Sequence, residues 1–335
     1  MTSPRRRDFL KGIGLAAAAV LTGRSFGSQP ADNKPLGRVQ RRNFGRHKFT
    51  VSSLALGGYS LRTANDDDAR RIVDAALNAG IDFFDNAWDY HNGTAEELMG
   101  RCIKGKRDRV FLMTKVCTHD NGGRREAIRM LDQSLARLGT DHLDLWQVHA
   151  VSTLAQVRNA FAPGGVIEAL DEARKAGKVR FVGFTGHTDP DVHLAMLSHG
   201  YPFDACQLPI SAIEANSNAF VRRVLPELVR QGIAPLAMKS LCGSAKPVRE
   251  GIYSVREGIS YALSQPVTTV VSGITNLQEL TENAAIATDF SQMSSAELAS
   301  LEDRCRAATE SENFQPYRKW MSYKEGDAAK FDRTA

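Results

Sequence analysis

The chain carries four side chains that could together protonate an oxygen atom, each at or just after the end of a short apolar run. They are Asp85 and Tyr90 in FFDNAWDY, Lys115 in LMTKV and His149 in LWQVH. A phenol, with a pKa of about 10, is a poor proton donor at neutral pH, but a neighbouring ammonium stabilises the phenolate that remains. We therefore predict that Tyr90 is a general acid. Lys115 should pair with Asp85, because a lone buried ammonium is costly.

His149 would complete the group by donating a hydrogen bond to a carbonyl oxygen or by stabilising its developing charge. A different interpretation is that Asp85 and Lys115 form only a structural ion pair and that His149 is a buried histidine without a chemical role. Their common position after neighbouring apolar segments favours the catalytic interpretation.

Short apolar runs alternate with amphipathic stretches from Asn43 onward, a pattern typical of parallel strands joined by crossover helices. This alternation predicts an α/β fold, a (β/α)8 TIM barrel with an N-terminal β-hairpin over 42–51 and a C-terminal helix plus tail. Functional residues of such a barrel lie at the carboxyl ends of the strands, as these four do. We predict strands at 54–57, 83–85, 110–115, 143–149, 181–185, 205–208, 234–238 and 269–272, and helices that include 67–79, 124–138, 166–176, 220–231 and 277–287.

With these elements in place, the chain resembles the aldo-keto reductase superfamily over roughly residues 43–310. The resemblance implies that Asp85, Tyr90, Lys115 and His149 form the family's catalytic tetrad. It also implies that a nicotinamide cofactor passes hydride to a carbonyl. The matching motifs are Leu56-Gly57-Gly58, the run Asp85…Tyr90…Gly93…Glu97…Gly100, the segment from Ser134 to His149, and Gly177-Lys178-Val179-Arg180-Phe181-Val182-Gly183.

The resemblance places the nicotinamide at the ends of the fifth to seventh strands. Thr185 and Gln207 match residues that bind its carboxamide. Gly186 stands where the family usually has asparagine, and His187 either takes over that role or has none. Met238 matches the position of an aromatic residue that stacks on the ring, and offers a softer packing surface.

The remaining cofactor contacts would follow the seventh and eighth strands. Backbone amides at the start of the last barrel helix suit a phosphate. NADPH-preferring members usually carry a lysine and an arginine where this chain has Gly273 and Glu279. The Glu279 carboxylate would repel a 2′-phosphate and could accept a hydrogen bond from a ribose hydroxyl, or it has no role in binding. NADP(H) is the family default as cofactor, and NAD(H) stays open as the alternative. The other residues of this set are Ser240, Leu241 and Gly243 along the pyrophosphate, Lys239 beside it or simply solvated, Ser272 and Thr275 at the phosphate, and Glu282 and Asn283 at the adenine.

The substrate pocket is less defined by the sequence. Trp88 and His119 are candidates, and the tail segment FQPYRKW at 314–320 either reaches the pocket or, as we favour, packs outside the barrel. The five cysteines are scattered singly, so we predict that they are buried as small apolar residues and that there is no metal site.

Positive charge is concentrated at the N-terminus of the 335-residue chain. The net charge is +5, but residues 1–27 and 28–46 carry +4 each, which leaves about −3 for the rest. The body is therefore mildly acidic, and we expect no nucleic-acid partner. Arg6-Arg7-Asp8-Phe9-Leu10-Lys11 before an apolar stretch resembles a twin-arginine export signal.

We therefore predict a signal peptide over 1–27, a linker over 28–42 and a single barrel domain over 43–335, with the export machinery as a partner. The mature chain would be periplasmic and without a membrane span, or cytoplasmic if the signal is not used. The expected activity is reversible reduction of an aldehyde or ketone, with the carbonyl compound or alcohol as the small-molecule partner. The alternative is an exported barrel that binds a carbohydrate or protein without turnover.

Overall fold

The computed structural model describes residues 37–117, 123–309 and 314–319. Eight parallel strands close into a barrel, each pairing with the next along the chain, and the last pairs with the first. This confirms the predicted TIM barrel, with strand ends within two residues of the predicted ones. The barrel strands are β3 (Leu54–Gly57), β4 (Phe83–Asp85), β5 (Phe111–Val116), β6 (Leu143–Val148), β7 (Val179–Thr185), β8 (Ala205–Pro209), β9 (Ala234–Met238) and β10 (Thr269–Gly273).

The N-terminal hairpin pairs β1 (Arg41–Asn43) with β2 (Thr50–Ser52). Phe44 from this hairpin packs on aromatic residues inside the barrel, with ring centroids 5.1 Å from Phe111 and 5.2 Å from Phe181. Because Phe111 begins its strand, these contacts cover the amino-terminal end of the barrel. The opposite, carboxyl end is left to form a site.

The helices pack their apolar faces on the outside of the barrel. One difference from the prediction is that the helix expected over 220–231 is two short helices, α8 and α9. Pro226 has no amide hydrogen for the carbonyl four residues earlier and its ring crowds that carbonyl, so the helix breaks at Val224. The helices are α1 (Gly58–Leu61), α2 (Asp66–Asn78), α3 (Thr94–Ile103), α4 (Gly123–Leu138), α5 (Leu154–Phe161), α6 (Val166–Lys175), α7 (Pro190–Ser198), α8 (Phe220–Arg223), α9 (Leu225–Gln231), α10 (Lys246–Arg249), α11 (Val255–Ser264), α12 (Leu277–Thr288), α13 (Ser295–Arg304) and α14 (Arg306–Thr309).

Left-handed backbone at residues other than glycine is confined, within the described part of the chain, to the loops after three strands. It occurs at His91 and Asn92 after β4, at Ala150 after β6, and at Lys239, Cys242 and Ala245 after β9. Such conformations cost roughly 1–3 kcal/mol each and concentrate at functional sites. All six lie at the carboxyl end of the barrel, where the sequence places the chemistry.

Some predicted features fall outside the described residues. These are the export signal, most of the linker, His119 and the end of the tail from Trp320. In the part of the chain that the structure describes, no helix is both long enough and apolar enough to cross a bilayer.

Candidate active site

The predicted ion pair forms at the ends of β4 and β5. The Lys115 ammonium, 1% exposed, donates to Asp85 Oδ1, to the Asn86 carbonyl oxygen at 2.7 Å and to the Tyr90 hydroxyl oxygen at 3.1 Å. These three acceptors match the three hydrogens of an ammonium group. Tyr90 thus contacts the ion pair directly, as the catalytic interpretation requires.

Tyr90 opens a tight turn, Tyr90–Gly93, in which His91 and Asn92 take left-handed backbone angles. Burial first, and then the carboxylates of Asp85 and Asp89, raise the pKa of Tyr90 well above its ordinary value. We expected the ammonium to favour the phenolate, but Asp85 already neutralises it. The resting phenol therefore keeps its proton, and it is a weaker acid than the sequence analysis predicted.

Gln207 lies at the end of β8 and reaches across the barrel mouth to the tetrad. Its side-chain amide donates to Asp85 Oδ2 at 2.7 Å, so both oxygens of Asp85 have partners. Gln207 is 1% exposed. The sequence predicted it as a carboxamide ligand; the structure adds that it orients the carboxylate that pairs with Lys115.

His149 follows β6 and its ring lies 5.7 Å from the Tyr90 ring, centroid to centroid. Its Nδ1 atom lies 3.2 Å from Asp89 Oδ1 and 3.3 Å from Cys117 Sγ. The sequence analysis missed both neighbours. The available signals were an aspartate directly before the tyrosine and a cysteine two residues after the lysine. Cys117 also departs from the prediction that every cysteine is only a packing residue.

Asp89 and Cys117 have opposite protonation states. Burial opposes the charge on Asp89, but the neighbouring His149, Cys117 and Lys115 outweigh it, and the pKa of Asp89 lies below its ordinary value. Burial and Asp89 raise the pKa of Cys117 well above its ordinary value. A buried carboxylate and a protonated thiol thus stand beside the imidazole.

Position 186 is occupied by glycine for a steric reason. A Cβ there would lie 2.4 Å from the Val151 carbonyl oxygen and 2.6 Å from His193 Cε1, so no side chain fits. His187, 8% exposed, follows at the end of β7, and the Thr185 hydroxyl accepts a hydrogen bond from the Ala150 amide at 3.0 Å. The carboxamide roles of Thr185 and His187 stay predictions.

The predicted cofactor residues of β9 and β10 line the same end of the barrel. Met238, Ser240 and Ser272 are buried, and Asn283 of α12 donates to the Ser272 hydroxyl at 3.0 Å. Lys239 is not simply solvated: burial, together with Lys115, lowers its pKa to about 8. Leu241 is half-buried, and Gly243 and Gly273 are exposed.

Hydroxyl, amide and ammonium groups along this edge suit a dinucleotide. A Cβ at Gly273 would lie 2.5 Å from Ser60 Oγ, so a larger residue there would require the Ser60 side chain to move. The residues present therefore fit the cofactor that the family resemblance implies. Gln207, Lys239, Ser240 and Ser272 would hold it.

Glu279 helps to shape the loop before α12. Its carboxylate accepts from the Thr275 amide at 2.7 Å and from the Thr275 hydroxyl at 2.9 Å. Glu282, one turn on, is exposed and accepts from Gln278 at 2.9 Å. A negative charge is thus built into the loop at which the sequence predicted a phosphate.

The Trp88 side chain turns away from the barrel mouth. Its indole nitrogen donates to Gln133 of α4 at 2.9 Å, and the Arg137 guanidinium lies 5.3 Å from its ring centroid. The structure does not bring Trp88 into the substrate pocket that the sequence predicted for it.

The described part of the tail lies at the mouth, against our expectation that it packs outside the barrel. Tyr317 is fully buried, and its ring centroid lies 6.2 Å from that of His187. Arg318 donates to the buried carboxylate of Glu214 at 2.8 Å, which ties this segment to the loop after β8. Tyr317 therefore packs beneath the mouth and supports His187 from within the protein.

The buried Glu214 predicts a pH-dependent stability. Burial, only partly offset by Arg318 and backbone amides, raises its pKa from 4.5 to about 7. The folded state therefore favours the neutral carboxyl group, a contribution that is present below pH 4.5 and lost as the pH rises through about 7. Glu214→Gln cannot ionise, so the melting temperature of the natural protein should fall relative to the variant between pH 5 and pH 8. A difference that stays constant over this range, by calorimetry, would contradict the assignment.

The fold is an eight-stranded parallel barrel, and at its mouth an Asp–Lys pair lies beside a tyrosine and a histidine. These features define a class of proteins, the barrel oxidoreductases. The model of the Aldo/keto reductase family matches residues 53–256, more than half of the sequence, and the chain belongs to that family.

Individual relatives agree with this membership. The chain is 33% identical over 222 residues to a 6-dehydroglucose reductase of Novosphingobium aromaticivorans, covering 60% of this chain and 69% of that protein. It is 34% identical over 134 residues to the methylglyoxal reductase YeaE of Escherichia coli, covering 39% of this chain and 44% of that protein. The aldo-keto reductase AKR11C1 of Bacillus halodurans, in its holo form, superposes with a TM-score of 0.68 at 22% identity, over 83% of this chain and 100% of that one. This last likeness concerns the fold alone.

Proposed function

We propose that this protein reduces a small polar aldehyde or ketone to the alcohol, with NADH or NADPH as the hydride donor. The observation that carries the proposal is the Tyr90 hydroxyl oxygen 3.1 Å from the Lys115 ammonium, which is itself paired with the buried Asp85 carboxylate. The names of two relatives, a 6-dehydroglucose reductase and a methylglyoxal reductase, support small polar carbonyl compounds as the substrate class.

The chain's own residues would act on the carbonyl oxygen. Tyr90 donates its proton as negative charge develops there, and Lys115 stabilises the phenolate that remains. Asp85, held by Gln207, fixes the position of the ammonium. His149 orients the oxygen, with its own ring held by Asp89. The bound nicotinamide supplies the hydride.

The test is to measure dinucleotide binding and turnover in the same preparation. We expect quenching of protein fluorescence by NADH or NADPH, and oxidation of the dinucleotide when small aldehydes, α-oxoaldehydes or oxidised sugars are added. Protein that binds neither dinucleotide would overturn the proposal. Binding without turnover across this panel would instead favour the non-catalytic alternative, which the comparisons do not favour.

Glu279 should set the preference between the two dinucleotides. Its carboxylate would oppose a 2′-phosphate, and a unit charge at about 4 Å in water is worth about 1 kcal/mol. Glu279→Gln keeps an acceptor for Thr275, and we expect it to tighten NADPH relative to NADH by about fivefold in titrations. Glu172→Gln, which removes an exposed charge on α6 outside the predicted cofactor site, is the matched control and should leave the ratio unchanged. An unchanged ratio in both variants would remove Glu279 from the cofactor site.

We also propose that the protein is exported by the twin-arginine route, on the evidence of the residues Arg6 to Lys11 and the apolar stretch that follows them. Fractionation of cells that carry a C-terminally tagged protein tests this. We expect the natural chain in the periplasm and the Arg6→Lys/Arg7→Lys variant in the cytoplasm. Equal distribution of both proteins would contradict it.

A further inference from the structure

Three side chains with metal-binding chemistry meet at His149, the histidine of the predicted tetrad. Asp89 comes from the loop after β4, Cys117 follows β5 and His149 follows β6, so three successive strands each supply one of them. One donor atom from each lies within 4.8 Å of the other two. His149 Nδ1 is 3.2 Å from Asp89 Oδ1 and 3.3 Å from Cys117 Sγ.

These separations are close to those that a tetrahedral zinc ion imposes. With bonds of about 2.0–2.1 Å to nitrogen and oxygen and about 2.3 Å to sulfur, neighbouring donors lie roughly 3.4–3.6 Å apart. The two closest pairs therefore need to separate by only a few tenths of an ångström. The combination of sulfur, imidazole and carboxylate also selects Zn²⁺ over Mg²⁺ and Ca²⁺, which prefer oxygen alone.

The buried negative charge of Asp89 also favours a bound cation at this position. Asp89 is 4% exposed, yet within residues 37–117, 123–309 and 314–319 neither of its oxygens has a hydrogen bond of good geometry. The nearby Lys115 directs its hydrogens to Asp85, Asn86 and Tyr90. The nearest partner of this buried carboxylate is the His149 ring at 3.2 Å, and a divalent cation between the three groups would stabilise its charge more strongly than an imidazole does.

We propose that Asp89, Cys117 and His149 form a Zn²⁺ site with three protein ligands and a fourth position open to water. On binding, the Cys117 thiol loses its proton to solvent and the sulfur forms the Zn–S bond, while Nδ1 of His149 and a carboxylate oxygen of Asp89 complete the ligand set. The bound ion inhibits reduction, because it binds Nδ1 of His149 and the Asp89 carboxylate and so replaces the contact that holds the imidazole toward the carbonyl oxygen. Only this last effect rests on the proposed function.

Binding is measured without turnover. Metal-free protein is titrated with Zn²⁺ against a chromophoric chelator, and separately with Co²⁺ to look for the thiolate-to-cobalt charge-transfer band in the near ultraviolet. We expect one ion per chain and this band in the natural protein. Cys117→Ala should abolish the band and weaken Zn²⁺ binding by about 100-fold. Cys102→Ala, which removes a buried thiol of α3, is the matched control and should change neither.

Asp89→Asn provides a second variant that keeps the size of the side chain. It should weaken Zn²⁺ binding but retain the cobalt band, because the sulfur remains. Equal Zn²⁺ affinity in the natural protein, Cys117→Ala and Asp89→Asn would overturn the site, as would the absence of the band in the natural protein.

The activity measurement is interpreted separately. Zn²⁺ should inhibit the natural protein and Cys102→Ala, but not Cys117→Ala relative to its own metal-free rate. Binding without inhibition would remove the inhibitory role and leave the site intact. Absence of any reductase activity in metal-free protein would count against the proposed function, while the cobalt band would still decide the site.

Discussion

Replacing Tyr90 with phenylalanine should reduce the rate of carbonyl reduction by about 10²- to 10⁴-fold, the range that general acid catalysis contributes. The substitution removes one oxygen atom and leaves the ring in contact with His149. The Lys115 ammonium then loses one of its three acceptors but keeps Asp85 and the Asn86 carbonyl. We therefore expect turnover to fall while the dissociation constant of the dinucleotide changes little. Stopped-flow turnover together with fluorescence titration measures both.

Tyr59 offers the matched control. Its ring lies 5.3 Å from that of Tyr90, but it is 57% exposed. Tyr59→Phe removes the same atom from the neighbouring ring, and we expect nearly natural turnover. If both variants retain turnover, Tyr90 is not the proton donor and the assignment of the tetrad fails.

Replacing Lys115 with methionine should affect both activity and stability. The variant leaves the Asp85 carboxylate, 3% exposed, with Gln207 as its remaining side-chain partner. Breaking a buried ion pair by removing one partner costs about 3–5 kcal/mol of the free energy of unfolding. Reduction should also cease to be measurable, because no ammonium stabilises the phenolate of Tyr90. Denaturant unfolding and turnover assays test the two effects.

The double variant Asp85→Asn/Lys115→Met separates the two effects. It removes the uncompensated charge and leaves a carbonyl oxygen that can accept from Gln207, so most of the lost stability should return. Activity should not return, because the ammonium is still absent. A double variant as unstable as Lys115→Met would show that the charge on Asp85 is not the source of the loss.

Much of the fold followed from local patterns. The barrel strands are short apolar runs separated by amphipathic stretches, so their approximate bounds can be recognised without knowing their partners. The same property placed Asp85 and Lys115, because a charged residue that ends an apolar strand stands out from its neighbours. The exception was the helix pair α8 and α9. The amphipathic pattern of the sequence continued through Pro226, but the proline prevented one continuous helix from forming.

The arrangement within the site depended on contacts between distant segments. From the sequence, the ring of Trp88 could have faced either the barrel mouth or the surrounding helices. Only its contacts with α4 show that it faces the helices. Tyr317 could have packed anywhere on the barrel, and the ion pair between Arg318 and Glu214 holds its segment at the mouth.

The sequence by itself determined the barrel and the family, and it predicted the four tetrad residues, because apolar periodicity and residue type are local properties. Only the tertiary structure decided that Asp89 and Cys117 face His149, and that Tyr90 keeps its proton despite the ammonium beside it. Both depend on the sum of charges and on burial at one point in space. Three strands and a left-handed turn bring those groups together. The electrostatic environment of Tyr90 and His149 therefore cannot be read from any single segment of the chain.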